Sequence, residues 1–490
     1  LNPLKKLAGQ TAIYGMGTII PRLLNYLLLT PFYTRIFVQG EYGTVTELYA
    51  YAAFLMVLLT YGMETAFFRY AESEKSPQNV YSTSLISLFI TSFIFIFFVS
   101  FYSQPIADLI RYSSNQEYIV YFAFIIGLDA FSAIPFAKLR QENKALRFTI
   151  IKIINICVNI GFNLFFLVLC PYIASKNPDS VILTFYSADV GVGYAFISNL
   201  IASIVTLILL LPDIIKIKFN FDTTLLKRML KYSYPLLIIG LAGMINEVLD
   251  KILLKYLLPD SVDAMAQVGI YGANYKLAII MTLFIQMFRY AAEPFFFAEA
   301  KKKDAKQVYA DVMKFFVIFC LVIFLVVMMY LDVVKYFIGP DFRSGLRIVP
   351  IVLMANLFLG VFYNLSIWYK LNNLTLYGAL IAIIGALITI VLNVILIPEV
   401  GYYGSAWAHF FCYFSMMMIS YFWGRRVFPV NYDIRRILIY TAIALLLFSI
   451  SKVFVIQIES LKLAVNTIYI ILFLFIVYKI EKPGFARSFK

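Results

Sequence analysis

The sequence predicts an all-α polytopic membrane protein of about fourteen spans, and three observations carry that prediction. The 490-residue chain is 62% hydrophobic and only 14% charged, against roughly 25% charged residues in soluble domains. Apolar runs of about 20 residues, the length that crosses ~30 Å of hydrocarbon as a helix, recur from end to end. One pattern then occurs twice: Gly40-Glu41-Tyr42-Gly43 returns as Gly269-Ile270-Tyr271-Gly272, a shift of 229.

The runs place spans near 10–36, 42–68, 81–102, 118–138, 146–169, 189–211, 229–250, 268–292, 307–331, 346–369, 376–397, 402–424, 435–456 and 461–479. Backbone groups in lipid must be satisfied internally, and the alternation of a membrane barrel is missing, so the spans are read as helices. The first run is too long and wrongly flanked for a cleaved signal peptide and is expected to stay in the membrane. A start at Leu1 suggests a trimmed sequence. The widest gap, about 170–189, leaves no room for a soluble catalytic module, so no enzyme activity is expected.

Net charge is +14, and the placement of Lys and Arg explains it without nucleic acid. With a cytoplasmic amino terminus, twenty-six of the 41 basic residues fall on the cytoplasmic side and nine, Lys251 and Lys255 among them, on the other. That excess orients the chain with both termini cytoplasmic and an even number of spans. Cys157, Cys170, Cys320, Cys412 and His409 lack ligand spacing, which argues against a metal site, a disulfide framework or a Cys/His nucleophile. No phosphate-binding loop pattern occurs, so nucleotide hydrolysis is not expected.

The shift of 229 also carries Leu48 to Leu277, Glu64 to Glu293, Phe67-Phe68 to Phe296-Phe297 and Ala71 to Ala300. A shift of 230 carries Arg140 to Lys370, Asn143 to Asn373 and Asn163 to Asn393. Six spans per copy leave the two copies in the same orientation, a parallel repeat. The expected division is a first lobe over 1–218, a second over 219–431, and two additional spans over 432–490. Duplicated hydrophobic units are the usual build of secondary transporters, whose substrate site lies between the repeats.

Polar stripes within the spans name the candidate site. Tyr14, Thr18, Arg22 and Asn25 follow at gaps of four, four and three, which stacks them on one helical face. Arg22 lies too deep to snorkel. A charge there costs ~2.5–3.5 kcal/mol on insertion scales, so it is expected to face water, protein or an anionic cargo; an Arg bonded to backbone carbonyls is the competing reading. In the fifth span Lys152, Asn155, Asn159 and Asn163 repeat the device. Amides both donate and accept, which suits sugar hydroxyls and neighbouring helices equally. Gln286, Arg289 and Glu293 share a face of the eighth span, where an i, i+4 pair would neutralise most of the charge and make Arg289 a weaker ligand candidate than Arg22. Lys276 lies deeper in that span with no local carboxylate and ranks after Arg22 as an anion ligand. Glu47, Glu64, Asp129, Glu247, Asp250 and Glu293 are acids in or at the ends of spans. Of these, Glu64 and Glu293 are repeat mates and read as partners of basic residues or an inner gate. Proton or sodium coupling stays open, since buried acids with raised pKa carry protons.

With these residues in view the chain resembles the polysaccharide transporter (O-antigen flippase) family of the multidrug/oligosaccharidyl-lipid/polysaccharide exporter superfamily. The motifs that carry the resemblance are the Gly40–Gly43 turn, the Asp250-Lys251 pair, and Gly269-Ile270-Tyr271 followed by Ala273-Asn274-Tyr275-Lys276-Leu277. Ile397-Pro398-Glu399-Val400-Gly401 leading to Gly404-Ser405-Ala406-Trp407 completes the set. The resemblance implies a V-shaped pair of six-helix lobes in a bacterial plasma membrane, working by alternating access. It implies an undecaprenyl-pyrophosphate-linked oligosaccharide as cargo, moved to the outer leaflet, with membrane lipid and polysaccharide assembly proteins as partners. Arg22, Lys276, Arg289 and Lys152 would then meet the pyrophosphate, and Tyr14, Asn25, Asn155 and Asn159 the sugars. Asp250, Lys251, Glu64 and Glu293 stand as gate or coupling candidates. No cofactor is implied beyond a coupling H+ or Na+. Lys251 replaces the commoner Arg of the Asp-basic pair, and the loop at 259–267 is longer than its counterpart in the first repeat; both leave the cargo's identity open. A lipid II flippase and a cation-coupled multidrug exporter are the rival readings. Arg22, with no carboxylate before Glu41, disfavours the exporter. An integral-membrane glycosyltransferase or polymerase would need an acidic catalytic residue or a large outer loop, and neither is visible.

Overall fold

The computed structural model describes residues 17, 19–74, 76–177, 179–216, 220–300, 302–453 and 458–488, and no β-strand occurs among them. Among the described residues, every predicted span falls on a helix. They are α1 (19–36), α2 (Gln39–Ser73), α3 (Pro77–Phe101), α4 (Gln116–Gln141), α5 (Ala145–Lys176), α6 (Gly193–Ile215) and α7 (Thr223–Leu257). After these come α8 (Ala264–Leu277 with Ile279–Glu299), α9 (Ala305–Met329), α10 (Pro340–Leu371) and α11 (Thr375–Val400). The chain ends with α12 (Tyr402–Val427), α13 (Ile434–Val453) and α14 (Glu459–Ser488). Among the described residues, ten helices are long and apolar enough to cross a membrane, or up to eleven if the bent α8 is one span. Length and apolarity thus stop short of the expected fourteen. The helices α7 and α12 are long but more polar, and α1 is described only from residue 17.

Apolar side chains remain on the outside of the helices, as a hydrocarbon solvent allows. Phe89, Phe93, Phe97 and Phe101 recur every fourth residue along α3, and each is more than half exposed. In water such a stripe would be an association surface.

By contact, the chain divides into Leu1–Gly269 and Ile270–Lys490. In the first unit α4 packs against α3 and α6, α5 against α6, and α7 along α2. Their core gathers Met63, Phe67, Leu85, Leu88, Ile134 and Met229. Three glycines shape this unit. Gly62, at φ +70, follows Tyr61 at φ 35 and interrupts α2 with two left-handed residues, a conformation that glycine adopts without a Cβ penalty. At the start of α2, a Cβ on Gly43 would meet the Met265 carbonyl oxygen at 2.1 Å, and one on Gly269 the Gln39 carbonyl oxygen at 2.0 Å. The motif glycines therefore permit backbone-to-backbone contact.

A buried ion pair also ties α7 to α2. Lys255 donates to Glu47 at 3.0 Å and to the Ile110 carbonyl at 2.7 Å, while the Tyr112 hydroxyl donates to Glu47 at 2.5 Å. Lys255, assigned above to the outer aqueous side, is instead almost wholly buried. Its charge is met by a carboxylate 208 residues away, and no local spacing announces that.

In the second unit α12 packs against α10 and α11, and α9 against α10, α13 and α14. The last two helices are tied to α9 at both ends. Glu481 accepts from Lys314 at 2.7 Å, Arg436 at 3.2 Å and Tyr440 at 2.6 Å. At the opposite end, Lys462 pairs with Asp332, and Asn466 donates to the Met329 carbonyl at 2.6 Å.

The duplication survives as local geometry. Asn143 and Asn373 take left-handed φ of 57 and 56. Each is followed by the same helix-closing bond, Lys144 N–H to Leu139 O at 2.8 Å and Leu374 N–H to Tyr369 O at 2.7 Å. Asn163 and Asn393 both donate to the carbonyl four residues back, each at 2.8 Å.

Candidate functional site

Charged side chains gather within each unit. In the first, Lys152 on α5 is half-buried, with its ammonium 4.0 Å above the Phe136 ring. It lies within electrostatic range of Asp129, Glu64 and Arg22. Glu64 in turn pairs with Arg140, whose guanidinium covers the Phe68 ring at 5.0 Å. Arg22 and Asn25 on α1 are exposed, and Asn25 opens a π-helical turn, Asn25–Leu29. Such single-turn bulges re-aim the side chains that follow, and they occur often at functional sites. Tyr14 and Thr18 lie outside the described residues, so the predicted stripe is represented by Arg22 and Asn25.

The amides of α5 have partners inside the unit. Asn155 donates to the Ala202 carbonyl at 3.1 Å and to the Thr206 hydroxyl at 2.9 Å, both on α6. Asn163 donates to Asn159 Oδ1 at 2.9 Å and accepts from the Tyr33 hydroxyl at 2.7 Å. These bonds hold α5 against α6 and α1, the helix-packing alternative left open for these residues. Lys152, at the head of the ladder, is left with a different set of neighbours.

Asp250 and Lys251 are joined within α7. Lys251 Nζ donates to Asp250 Oδ1 at 3.2 Å and to the Glu247 carbonyl at 2.9 Å. Asp250 is 2% exposed, so its carboxylate lies in the interior of the unit.

In the second unit the decisive feature is a break in α8. The helix ending at Leu277 and the one beginning at Ile279 meet at 52°, with Ala278 donating back to the Tyr275 carbonyl at 3.1 Å. Lys276, half-buried, sits in the turn before the break. Discontinuous span helices are where transporters build binding sites, because the interrupted backbone must line a cavity or be buried in protein. Nothing in the apolar periodicity around Ala278 announces the bend.

Further along α8, Arg289 and Glu293 face α10. Glu293 accepts from Lys370 at 2.8 Å, and Arg289 stands 4.0 Å from the same carboxylate with its guanidinium over Tyr363 at 4.8 Å. A small hollow opens there, lined by Arg289, Glu293, Lys370, Asn364 and Tyr363 on its polar side and by Phe288 and Phe296 on its apolar side. Lys370 and Asn364 had not been named as site residues. The repeat offered a signal for Lys370, because the shifts that pair Glu64 with Glu293 also pair Arg140 with Lys370. Asn364 carried no signal at all.

Comparison with known proteins bears on what this arrangement does. A family model described as polysaccharide biosynthesis protein matches residues 7–299. No curated protein matches by sequence. Among solved structures, the fold is similar to a lipid II flippase, MurJ, in an inward closed conformation, with TM-score 0.74 and 14% identity over 97% of this chain and 100% of that one. It is also similar to a multidrug resistance MATE family transporter of the MOP superfamily. The inward-facing form of that transporter gives TM-score 0.66 and 13% identity over 85% and 97% of the two chains. The outward-facing form gives 0.56 and 15% over 87% and 96%.

Proposed function

The chain belongs to the polysaccharide biosynthesis protein family, and from that premise we propose that it is a flippase. Its cargo is an undecaprenyl-pyrophosphate-linked oligosaccharide, an O-antigen or capsule repeat unit, carried from the inner to the outer leaflet of a bacterial plasma membrane by alternating access. The observation that supports this most is positive charge kept within span helices. Lys152 and Lys276 are half-buried in α5 and α8, where a cationic side chain is costly and marks a functional-site candidate. A pyrophosphate is a complementary guest for such groups, because ammonium and guanidinium are its natural donors.

In this reading Arg22, Lys152, Lys276 and Arg289 hold the pyrophosphate while access changes sides, and the polyprenyl chain stays in lipid. The bend of α8 beside Lys276 sets that charge at a break in the helix rather than along a continuous rod. Asn25 remains the polar contact for sugar, while Asn155 bonds α6 and Asn159 bonds Asn163 within α5. Fourteen spans, cytoplasmic termini, and lobes over 1–218 and 219–431 belong to the same proposal. So do partner polysaccharide assembly proteins.

Lipid II is the second reading of the cargo, favoured by likeness to a lipid II flippase along nearly the whole chain. Complementation separates the two. Strains lacking an O-antigen or capsule flippase and strains lacking the lipid II flippase would each receive this chain. Rescue of the first alone supports the proposal; rescue of the second alone replaces its cargo, and rescue of neither removes it. Arg22→Ala and Lys276→Ala should each abolish rescue with normal membrane abundance. Flipping in vesicles that persists after pH and sodium gradients are collapsed would exclude ion coupling.

A further inference from the structure

We propose that the second unit binds a phosphate-type oxyanion in the hollow between α8 and α10, with Arg289, Lys370 and Asn364 as its donors. Asn364 carries the argument furthest. Its side chain lines the hollow and is 3% exposed, yet its Nδ2 has no hydrogen-bond partner. Leaving a buried donor unmade is unfavourable, and the missing partner must be an acceptor. Two cations, Arg289 and Lys370, line the same hollow. Glu293 bonds directly to Lys370 but stands 4.0 Å from Arg289, so the cluster is net positive and Arg289 keeps donors for a guest. A metal or sodium ion would meet two positive charges against one carboxylate; an oxyanion meets complementary donors.

The repeat shows that this hollow is not a by-product of the architecture. The Glu293–Lys370 pair has its mate in Glu64–Arg140. At the same shifts, however, Arg289 corresponds to Thr60 and Asn364 to Ile134. Ile134 is wholly buried in the apolar core of the first unit. One copy fills this position with hydrocarbon; the other keeps space, a cation and an orphaned amide.

Phosphate chemistry could arrive free or on a lipid headgroup, whose first methylenes would lie along Phe288 and Phe296. The test uses the full chain in nanodiscs of neutral lipid, with calorimetric titration of inorganic phosphate and of dodecyl phosphate. Saturable binding of one or both is expected. Arg289→Gln and Asn364→Leu should each weaken it about tenfold, equivalent to ~1.4 kcal/mol, and Asn364→Asp should abolish it. Tighter dodecyl phosphate binding identifies a lipid headgroup as the occupant; equal binding identifies free phosphate. Either result supports the site. Absence of saturable binding by both ligands, or variants that bind like the parent, would overturn it. Arg289 is half exposed, so its Gln variant keeps the test valid even if the Asn364 variants misfold. The inference shares Arg289 with the cargo reading, but the assay measures binding and not translocation. A chain that binds phosphate here and rescues no flippase mutant refutes the cargo reading alone.

Discussion

Removing Glu481 should loosen the last two helices from the second unit. Its carboxylate is 3% exposed and accepts from Lys314, itself 8% exposed, and from Arg436 and Tyr440. In Glu481→Leu the Lys314 ammonium keeps Asp311, at 3.4 Å on the surface side. Breaking a buried pair by deleting one partner costs ~3–5 kcal/mol, because the surviving charge stays buried. The lower end applies here: Arg436 is 40% exposed and can turn to water. Lys314→Met should cost a similar amount. The double variant Lys314→Met/Glu481→Leu puts apolar groups in place of both charges, and such replacements are often neutral. It should recover most of the loss, giving a coupling energy of at least ~2 kcal/mol. Equilibrium unfolding of the purified chain in mixed micelles, followed by far-UV circular dichroism, measures all three. Strict additivity, or single variants within ~0.5 kcal/mol of the parent, would refute the view that this hub holds α13 and α14 to α9.

Other expectations are simpler to check. Gly43→Ala and Gly269→Ala should each cut the yield of folded protein, because the added methyl meets backbone oxygen. Gly243→Ala, with open space around it, should be tolerated or gain up to ~1 kcal/mol from helix propensity; size-exclusion profiles in detergent distinguish these. The Glu64–Arg140 pair is about half exposed and should contribute only ~0.2–1 kcal/mol, so Glu64→Gln should be mild and the charge-swapped Glu64→Arg/Arg140→Glu near normal, read by thermal unfolding. Asp332 lies between spans, and the hydrogen bond from Lys462, reinforced by Lys335, holds its carboxyl below the usual range. A depressed folded pKa gives stabilisation that is present above about pH 4 and lost as pH falls through the lower folded value. Acid should therefore weaken the link between Asp332 and α14, and Asp332→Asn should remove that part of the pH profile of unfolding.

The positions of the helices were legible because length and apolarity are local properties of a span. The duplication was legible too, since motif glycines, the αL asparagines and the paired charges recur at fixed shifts. Partnerships across hundreds of residues were not. Lys255 reads as a loop lysine, yet Glu47 takes it into the interior. Asn155 reads equally well as a sugar ligand or a helix bond, and only the fold shows that its amide reaches Thr206 on α6.

The sequence by itself determined that this chain lives in a membrane, as two copies of one helical unit with cations inside. Tertiary structure alone decided where those cations are answered. The 52° break beside Lys276, the Glu481 hub and the orphaned amide of Asn364 each depend on which helices become neighbours. Spacing along one helix records which residues share a face. It does not record what that face will meet.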